Sequence, residues 1–432
     1  MSKKKVLGLV LVLVFMLRII SVQAEIATEG NDYPIVLVHG LAGWGPDEGV
    51  GLLYWGSTNE DYETVLNNAG IETYTAAVGP FSSNWDRACE LYAYIKGGTV
   101  DYGKAHSEKY GHERYGRTYQ GIYSEWGELR ADGNFNKIHF IGHSMGGQTI
   151  RTLTQLLKVP CREEIEAVLG EGASEDEISL SVLNGELSQL FIGGHDWVHS
   201  NTSIATPHDG TALAYGTKPI IPLARKLIVM ISGLAGLSND NNIYDFKLDQ
   251  WGLQREPHET YKSYSDRVWN SNLWYESKDY SIWDLSIEGS QALNEWVLTH
   301  EDVYYFSFAT EETYNSWITN HELPEPGMNP LFVPSAYYIG SFEGVVNHVV
   351  IDESWFPNDG LVSIRSAKGP TLGTDVSIEY IDAVIGTPKK GQWNFLGTLD
   401  STDHIDIIGY LTTQEKSNWY RSLGEYLRGL AK

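Results

Sequence analysis

The 432-residue sequence is 42% hydrophobic and 20% charged, which supplies a core and excludes an intrinsically disordered chain. Its 31 basic against 56 acidic residues leave a formal charge of −25, and repulsion from phosphate backbones excludes nucleic acid as a partner. Cys89 and Cys161 allow one bridge at most, and the sequence does not decide whether they pair.

The chain begins with a positive segment, Lys3 to Lys5, followed by the apolar run Val6 to Leu17. Val22 and Ala24 then stand at −3 and −1 of a cleavage site, so 1–24 reads as a secretory signal peptide and 25–432 as the exported chain. The run falls short of the ~20 residues that a spanning helix needs, and Arg18 ends it, so no stable membrane anchor is expected. Ile35 to Val38 is wholly apolar and β-branched-rich, the pattern of a strand buried on both faces, and it ends in His39-Gly40. Asp61 to Asn68 reads as a helix stopped by Gly70, and Ile71 to Thr75 as a second strand. Ser83 can cap a helix over 84–96, closed by Gly97-Gly98. Lys137 to Ile141 is another strand and Gln148 to Lys158 a helix, while Val198 to Thr206, Val303 to Ala309 and Trp393 to Leu399 supply further strands. This alternation predicts an α/β fold with a mostly parallel central sheet and helices on both faces. No repeat or low-complexity linker marks a boundary, so the extra length reads as insertions into one domain.

The strongest chemical signal is Gly142-His143-Ser144-Met145-Gly146. Between a strand and a helix it fits the G-x-S-x-G nucleophile elbow of the α/β-hydrolase fold, which lifts the serine hydroxyl above the sheet edge. A free hydroxyl is a poor nucleophile, so a histidine base and an orienting carboxylate are required, in the chain order Ser, acid, His. His404 is the last of the 13 histidines and lies in a polar loop after a strand. Asp359, in Pro357-Asn358-Asp359-Gly360, suits the acid, although Asp-Gly by itself is equally the mark of a plain β-turn. The oxyanion hole needs two backbone N–H groups, which points to Met145 after the nucleophile and to Leu41 in the loop after the first strand.

Longer motifs carry a family resemblance. Pro34 to Gly40, Gly43-Trp44-Gly45, Tyr54-Trp55-Gly56, Val78-Gly79-Pro80, Ser83 to Glu90 and Gly97 to Gly103 resemble the secreted lipases of Gram-positive bacteria, the thermostable bacillus and staphylococcal group. Ile204 to Thr211, Tyr244 to Leu253, Asn358-Asp359-Gly360 and Asp403-His404 continue the match over nearly the whole exported chain. Gly142 and Met145 resemble the staphylococcal branch, since bacillus members carry Ala and Gln there. The resemblance implies Ser144 as nucleophile, Asp359 as acid and His404 as base.

Read alone, Asp86, His106, His112 and Asp249 are ordinary surface residues. His106 and His112 would diverge by about 240° on one continuous helix, though Gly111 lets the chain turn back. The resemblance places a structural Zn2+ on these four, in an insertion covering about 86–112 and 249. It also implies Ca2+ held by a carbonyl at Gly327 and by Asp406; Leu411 stands where another Asp is expected, and Asp403 could replace it. Ile220, Leu223, Ala224, Leu227, Ile231 and Leu234 recur at helical spacing within Pro219 to Leu237. By pattern this is either a buried core helix or a lid; the resemblance implies a helical lid over about 208–240. The expected function is triacylglycerol hydrolysis at lipid droplets or emulsions, contacted through that lid; no protein partner is read. A short-chain carboxylesterase or phospholipase A-type enzyme would share the triad. A zinc hydrolase would place the chemistry at His106 and His112, and a non-catalytic lipid-binding protein would never form an acyl-enzyme.

Overall fold

Apolar runs build the centre of the molecule. In the computed structural model, residues 30–432 are described apart from 47, 49–51, 58–59, 215–243, 384–385, 411 and 413–415. The expected signal peptide, Leu411 and the expected lid from 215 onward lie outside the described residues. Among the described residues, thirteen strands follow in chain order: β1 (Ile35–Val38), β2 (Thr73–Ala76), β3 (Gly98–Asp101), β4 (Tyr115–Tyr119), β5 (Ile138–His143), β6 (Val198–Ile204) and β7 (Tyr304–Glu311), then β8 (Thr313–Asn315), β9 (Glu322–Pro324), β10 (Gly344–Val346), β11 (Val349–Ile351), β12 (Ile378–Tyr380) and β13 (Trp393–Asp400).

Seven of them form one sheet in the order β12-β13-β7-β6-β5-β1-β2. Every neighbouring pair is parallel, so the sheet exceeds the mostly parallel expectation. The pleat divides its side chains between two cores. Ile35 and Leu37 join Leu66, Leu423 and Leu427 on one face. Val36 and Val38 join Ile95, Leu153 and Leu157 on the other. Helices Tyr62–Asn68 and Ser417–Arg428 therefore cover the first face, and Asn84–Lys96 and Met145–Lys158 the second.

Local chemistry sets the element ends. Ser83 accepts the Asp86 N–H and caps the helix Asn84–Lys96. The helix expected from Gln148 starts at Met145, because the turn at Ser144 feeds straight into it. The chain crosses from β2 over β1 to β5, so the strand order switches direction beside β1 and β5, and their carboxyl ends open a crevice. The antiparallel pair β3-β4 brackets the helix Lys104–Tyr110, and β8-β9 and β10-β11 are two further small hairpins. Cys89 and Cys161 are both free thiols. No helix among the described residues is long and apolar enough to cross a membrane.

Candidate active site

Ser144 sits at the carboxyl end of β5 with φ 55° and ψ −129°, a conformation an L residue adopts only when its surroundings hold it there. The Ser144 N–H donates to the Ile204 carbonyl at 2.8 Å, which anchors the turn to β6. A Cβ on Gly142 would come within 2.5 Å of the Gly146 carbonyl carbon, and one on Gly146 would collide with the Val38 carbonyl oxygen. The elbow glycines are thus required by the closeness of strand, turn and helix, as the motif predicts.

The structure brings the three residues named from the sequence together. His404 Nε2 lies 2.9 Å from Ser144 Oγ, and His404 Nδ1 lies 2.8 Å from Asp359 Oδ2. The Asp359 carboxylate is fixed from other directions too. Its Oδ1 accepts the N–H groups of Leu361 at 3.0 Å and Val362 at 2.8 Å, and its Oδ2 accepts the Thr310 hydroxyl at 2.6 Å. The chain does turn at Asp359-Gly360, held by the Gly360 N–H on Asn358 Oδ1 and the Leu361 N–H on Asp359 Oδ1, and this leaves Asp359 Oδ2 to hold the imidazole. All three side chains are buried.

Met145 opens the helix behind Ser144, so its N–H is one of the four that the helix itself cannot satisfy. The Leu41 loop passes over the nucleophile: a Cβ on Gly40 would stand 2.6 Å from Ser144 Cβ. Buried Arg87 braces that loop, donating to the His39 carbonyl at 2.5 Å, the Gly79 carbonyl at 2.7 Å and Thr149 Oγ1 at 2.8 Å.

Two residues that stand in the sequence motifs without an assigned role complete the frame. The Tyr54 hydroxyl accepts the Gly40 N–H at 2.9 Å and lies 2.6 Å from His143 Nδ1. His143 Nε2 lies 2.8 Å from the His404 carbonyl oxygen, which only accepts, so Nε2 carries the proton and Nδ1 receives the Tyr54 O–H. Burial, followed by the neighbouring His404, pushes the His143 pKa well below the ordinary histidine value and keeps this ring neutral. Tyr54 lies 89 residues before His143, and the motif Tyr54-Trp55-Gly56 carries no sign of that pairing.

A second cluster stands at one end of the insertion. Gly111, at φ 79°, ends the helix Lys104–Tyr110 in the left-handed region, so the chain does turn back to bring His112 beside His106. Ligand atoms of Asp86, His106, His112 and Asp279 lie within 4.8 Å of one another. His106 Nε2 is 3.3 Å from Asp86 Oδ1 and 3.2 Å from Asp279 Oδ1, and His112 Nε2 is 3.2 Å from Asp279 Oδ2. Asp86 Oδ1, both Nε2 atoms and Asp279 Oδ2 are buried without a hydrogen-bond donor or acceptor in good geometry. His112 Nδ1 lies 2.9 Å from the Glu113 carbonyl, which leaves the Nε2 lone pair facing the cluster. Four converging N and O atoms, closed by protein on all sides, fit a tetrahedral cation. The sequence expectation needs one correction. Asp249 is not in the cluster: it grips Arg117 through two contacts, at 2.5 and 2.8 Å, and Asp279 takes the fourth place.

Glu312, Asp403 and Asp406 form a third, all-oxygen group. Gly327 lies against it, since a Cβ there would be 2.6 Å from Glu312 Oε1. Burial and then the charge of Asp403 push Asp406 up to about 7, so the group calls for positive charge. Part of it comes from buried Lys416, which acts electrostatically on all three carboxylates. Asp403 meanwhile accepts the N–H groups of Asn329, Ile405 and Asp406. The sequence did not single out Glu312, which stands one residue past the end of β7.

Residues 31–432 match the sequence profile of the family described as lipase-like, C-terminal domain. The chain is 37% identical over 409 residues to lipase 1 of Staphylococcus aureus, covering 93% of this chain and 54% of that protein. It thus spans about half the length of the curated relatives it matches. It is similar to the solved structure of lipase 1 from Pelosinus fermentans, with 47% identity, a TM-score of 0.82 and coverage of 93% of this chain and 100% of that one. The structure of EstA from Clostridium botulinum is similar too, at 45% identity and TM-score 0.83, with 94% of this chain and 89% of that one covered. With the elbow, the sheet and the match over 31–432 in agreement, the chain belongs to the lipase-like, C-terminal domain family, in the group of the staphylococcal lipases.

Proposed function

We propose that this chain is a secreted triacylglycerol lipase acting at the lipid–water interface. The observation that carries the reading is the unbroken relay from Asp359 through His404 to Ser144, with the serine held on a strained elbow. His404 Nε2 takes the Ser144 proton as Oγ attacks an acylglycerol carbonyl carbon. The N–H groups of Leu41 and Met145 receive the tetrahedral oxyanion, and loss of one such donor costs ~3 kcal/mol of transition-state stabilisation. His404 then gives its proton to the departing glycerol oxygen. Water, activated by the same ring, cleaves acyl-Ser144 and releases the fatty acid. Asp359 keeps the imidazole in the required tautomer and stabilises its charged form.

Asp86, His106, His112 and Asp279 would hold Zn2+, and with four protein ligands the metal would supply a structural cross-link. Glu312 and Asp406, with the backbone at Gly327, would hold Ca2+ more weakly, since Lys416 already answers part of their charge. His208 and Asp209 are buried and bonded to Ser203, Thr371 and Leu372, so of the expected 208–240 only the part beyond Ala214 serves as the lid, and 1–24 directs export.

The test is hydrolysis of emulsified triolein and soluble tributyrin by the exported chain and by Ser144→Ala. Strong triolein turnover that vanishes in the variant is the expected result. Turnover of tributyrin alone would make the protein a short-chain carboxylesterase, and activity surviving Ser144→Ala would overturn the triad mechanism.

A further inference from the structure

The hairpin β8-β9 leaves the sheet beside the catalytic acid. β8 begins two residues after β7 ends, the Glu312 N–H donates to the Asn358 carbonyl at 3.1 Å, and the Asn358 N–H donates to Thr313 Oγ1 at 3.1 Å. Asn358 directly precedes Asp359, so the hairpin is rooted in the loop that orients His404, at the same carboxyl end of the sheet as Ser144. Its far end does the reverse of what a water-soluble turn should do. Trp317 is 90% exposed and Ile318 74% exposed, side by side at the tip. Isolated exposed apolar residues are common, but a tryptophan and an isoleucine adjacent on one projecting turn form a wedge.

The tip is also held firmly. The Ser316 N–H donates to the His321 carbonyl at 2.8 Å, and the Asn320 N–H returns to the Ser316 carbonyl at 2.8 Å. Asn320 Nδ2 reaches Glu353 Oε2 at 3.1 Å, and the His321 ring meets Phe356 edge-on at 5.8 Å. Residues 313–320, Thr-Tyr-Asn-Ser-Trp-Ile-Thr-Asn, carry no charge in a chain that is one-fifth charged and has a net charge of −25. An uncharged wedge enters hydrocarbon without stripping water from an ion, while the surrounding acidity repels an anionic surface.

We infer that the Trp317–Ile318 tip is a fixed interfacial anchor that inserts into neutral acylglycerol surfaces and holds the mouth of the Ser144 site against the substrate phase. The inference rests on the lipase reading above and names how that site meets its substrate. An indole suits the role because its ring enters the acyl layer while its N–H stays with the polar groups.

The experiment compares the exported chain with the double variant Trp317→Ser/Ile318→Ser, and with Trp317→Glu, in two arms. In a Ser144→Ala background, partition is measured by flotation with triolein emulsion and with vesicles of anionic phosphatidylglycerol. With Ser144 intact, hydrolysis of a soluble butyrate ester is measured. The expected result is partition to triolein reduced at least about tenfold in both variants, with soluble-ester kcat/KM unchanged. Partition to anionic vesicles is weak for all proteins on this account. Unchanged triolein partition overturns the anchor while leaving the lipase reading intact. A parallel loss of soluble-ester activity shows that the tip merely supports the Asp359 loop, and it also overturns the anchor. So does a dimer in the parent, seen by light scattering, that the variants abolish, because the tip would then be a self-association surface. Absence of all esterase activity with normal partition sinks the lipase reading alone.

Discussion

Tyr54 accepts the Gly40 N–H and donates to His143 Nδ1, and His143 holds the carbonyl of His404. One phenol and one neutral imidazole therefore tie the loop at Gly40 to the backbone of His404. Tyr54→Phe would strand a buried N–H and a buried ring nitrogen, each costing about 1–3 kcal/mol. The expected outcome is a fall in kcat on a soluble ester of about tenfold with little change in KM, and a lower urea midpoint. A fall confined to stability would show that the pair only holds the fold. Ser144, Asp359 and His404 were legible because the elbow is a local pattern and the chain order of the triad is constrained. Tyr54 was not legible, because its role is defined only when β1 and β5 pair and bring Gly40 over Ser144.

The strands and helices around the metal cluster show both the reach of local sequence and where it stops. Ser83 capping Asp86 and Gly111 turning the chain after His106 are nearest-neighbour effects, and they were readable. The fourth ligand depends on how a distant segment returns. Asp249 and Asp279 are chemically equal in sequence, and the choice is made by Arg117, which engages Asp249 and Asp245 together. If the cluster holds zinc as proposed, Asp279→Asn is expected to retain less of it, measured as metal content after dialysis, and to have a lower melting temperature. Asp249→Asn should keep its zinc and lose only the Arg117 pair. Zinc retained in Asp279→Asn and lost in Asp249→Asn would reverse the assignment. The all-parallel sheet was legible from β-branched runs buried on both faces, whereas the short hairpins β8-β9 and β10-β11 carried no comparable hydrophobic run.

Across the whole molecule, stability is tied to acidity through buried imidazoles. His39, His139, His143 and His208 are fully enclosed and have pKa values pushed well below the usual histidine value, chiefly by burial. His199 falls to about 3, through burial and then the charges of Lys390 and Lys137, with the Tyr33, His139 and Tyr304 rings packed around it. Unfolding restores each ring to its ordinary value near 6.5, so between the two values the unfolded chain binds the extra proton. For His199 the penalty is absent above pH 6.5 and grows as pH falls towards 3, at ~1.4 kcal/mol for each pH unit, and the four enclosed rings act in the same direction. Glu90, Asp284 and Asp406, raised by burial to about 7, 8 and 7, act in the opposite direction over the same range, so the test is a difference: between pH 7.5 and 5.5 the urea stability of His199→Phe should fall less, or rise more, than that of the parent, by one ring's share. An unchanged slope in His199→Phe would show that this ring does not titrate with unfolding.

The metal cluster has one more consequence, which concerns the unfolded chain. Both cysteines are free thiols, so no covalent bridge ties distant parts of the sequence. A cation shared by His112 and Asp279 would close a loop of more than 150 residues that contains the entire nucleophile elbow. By the chain-entropy argument used for disulfides, such a closure is worth roughly 5 kcal/mol. The staple does not depend on an oxidant, so reducing conditions would leave it in place, and scarcity of the metal would open it. The durability of this protein would then follow the local supply of zinc and owe nothing to the redox state of its surroundings.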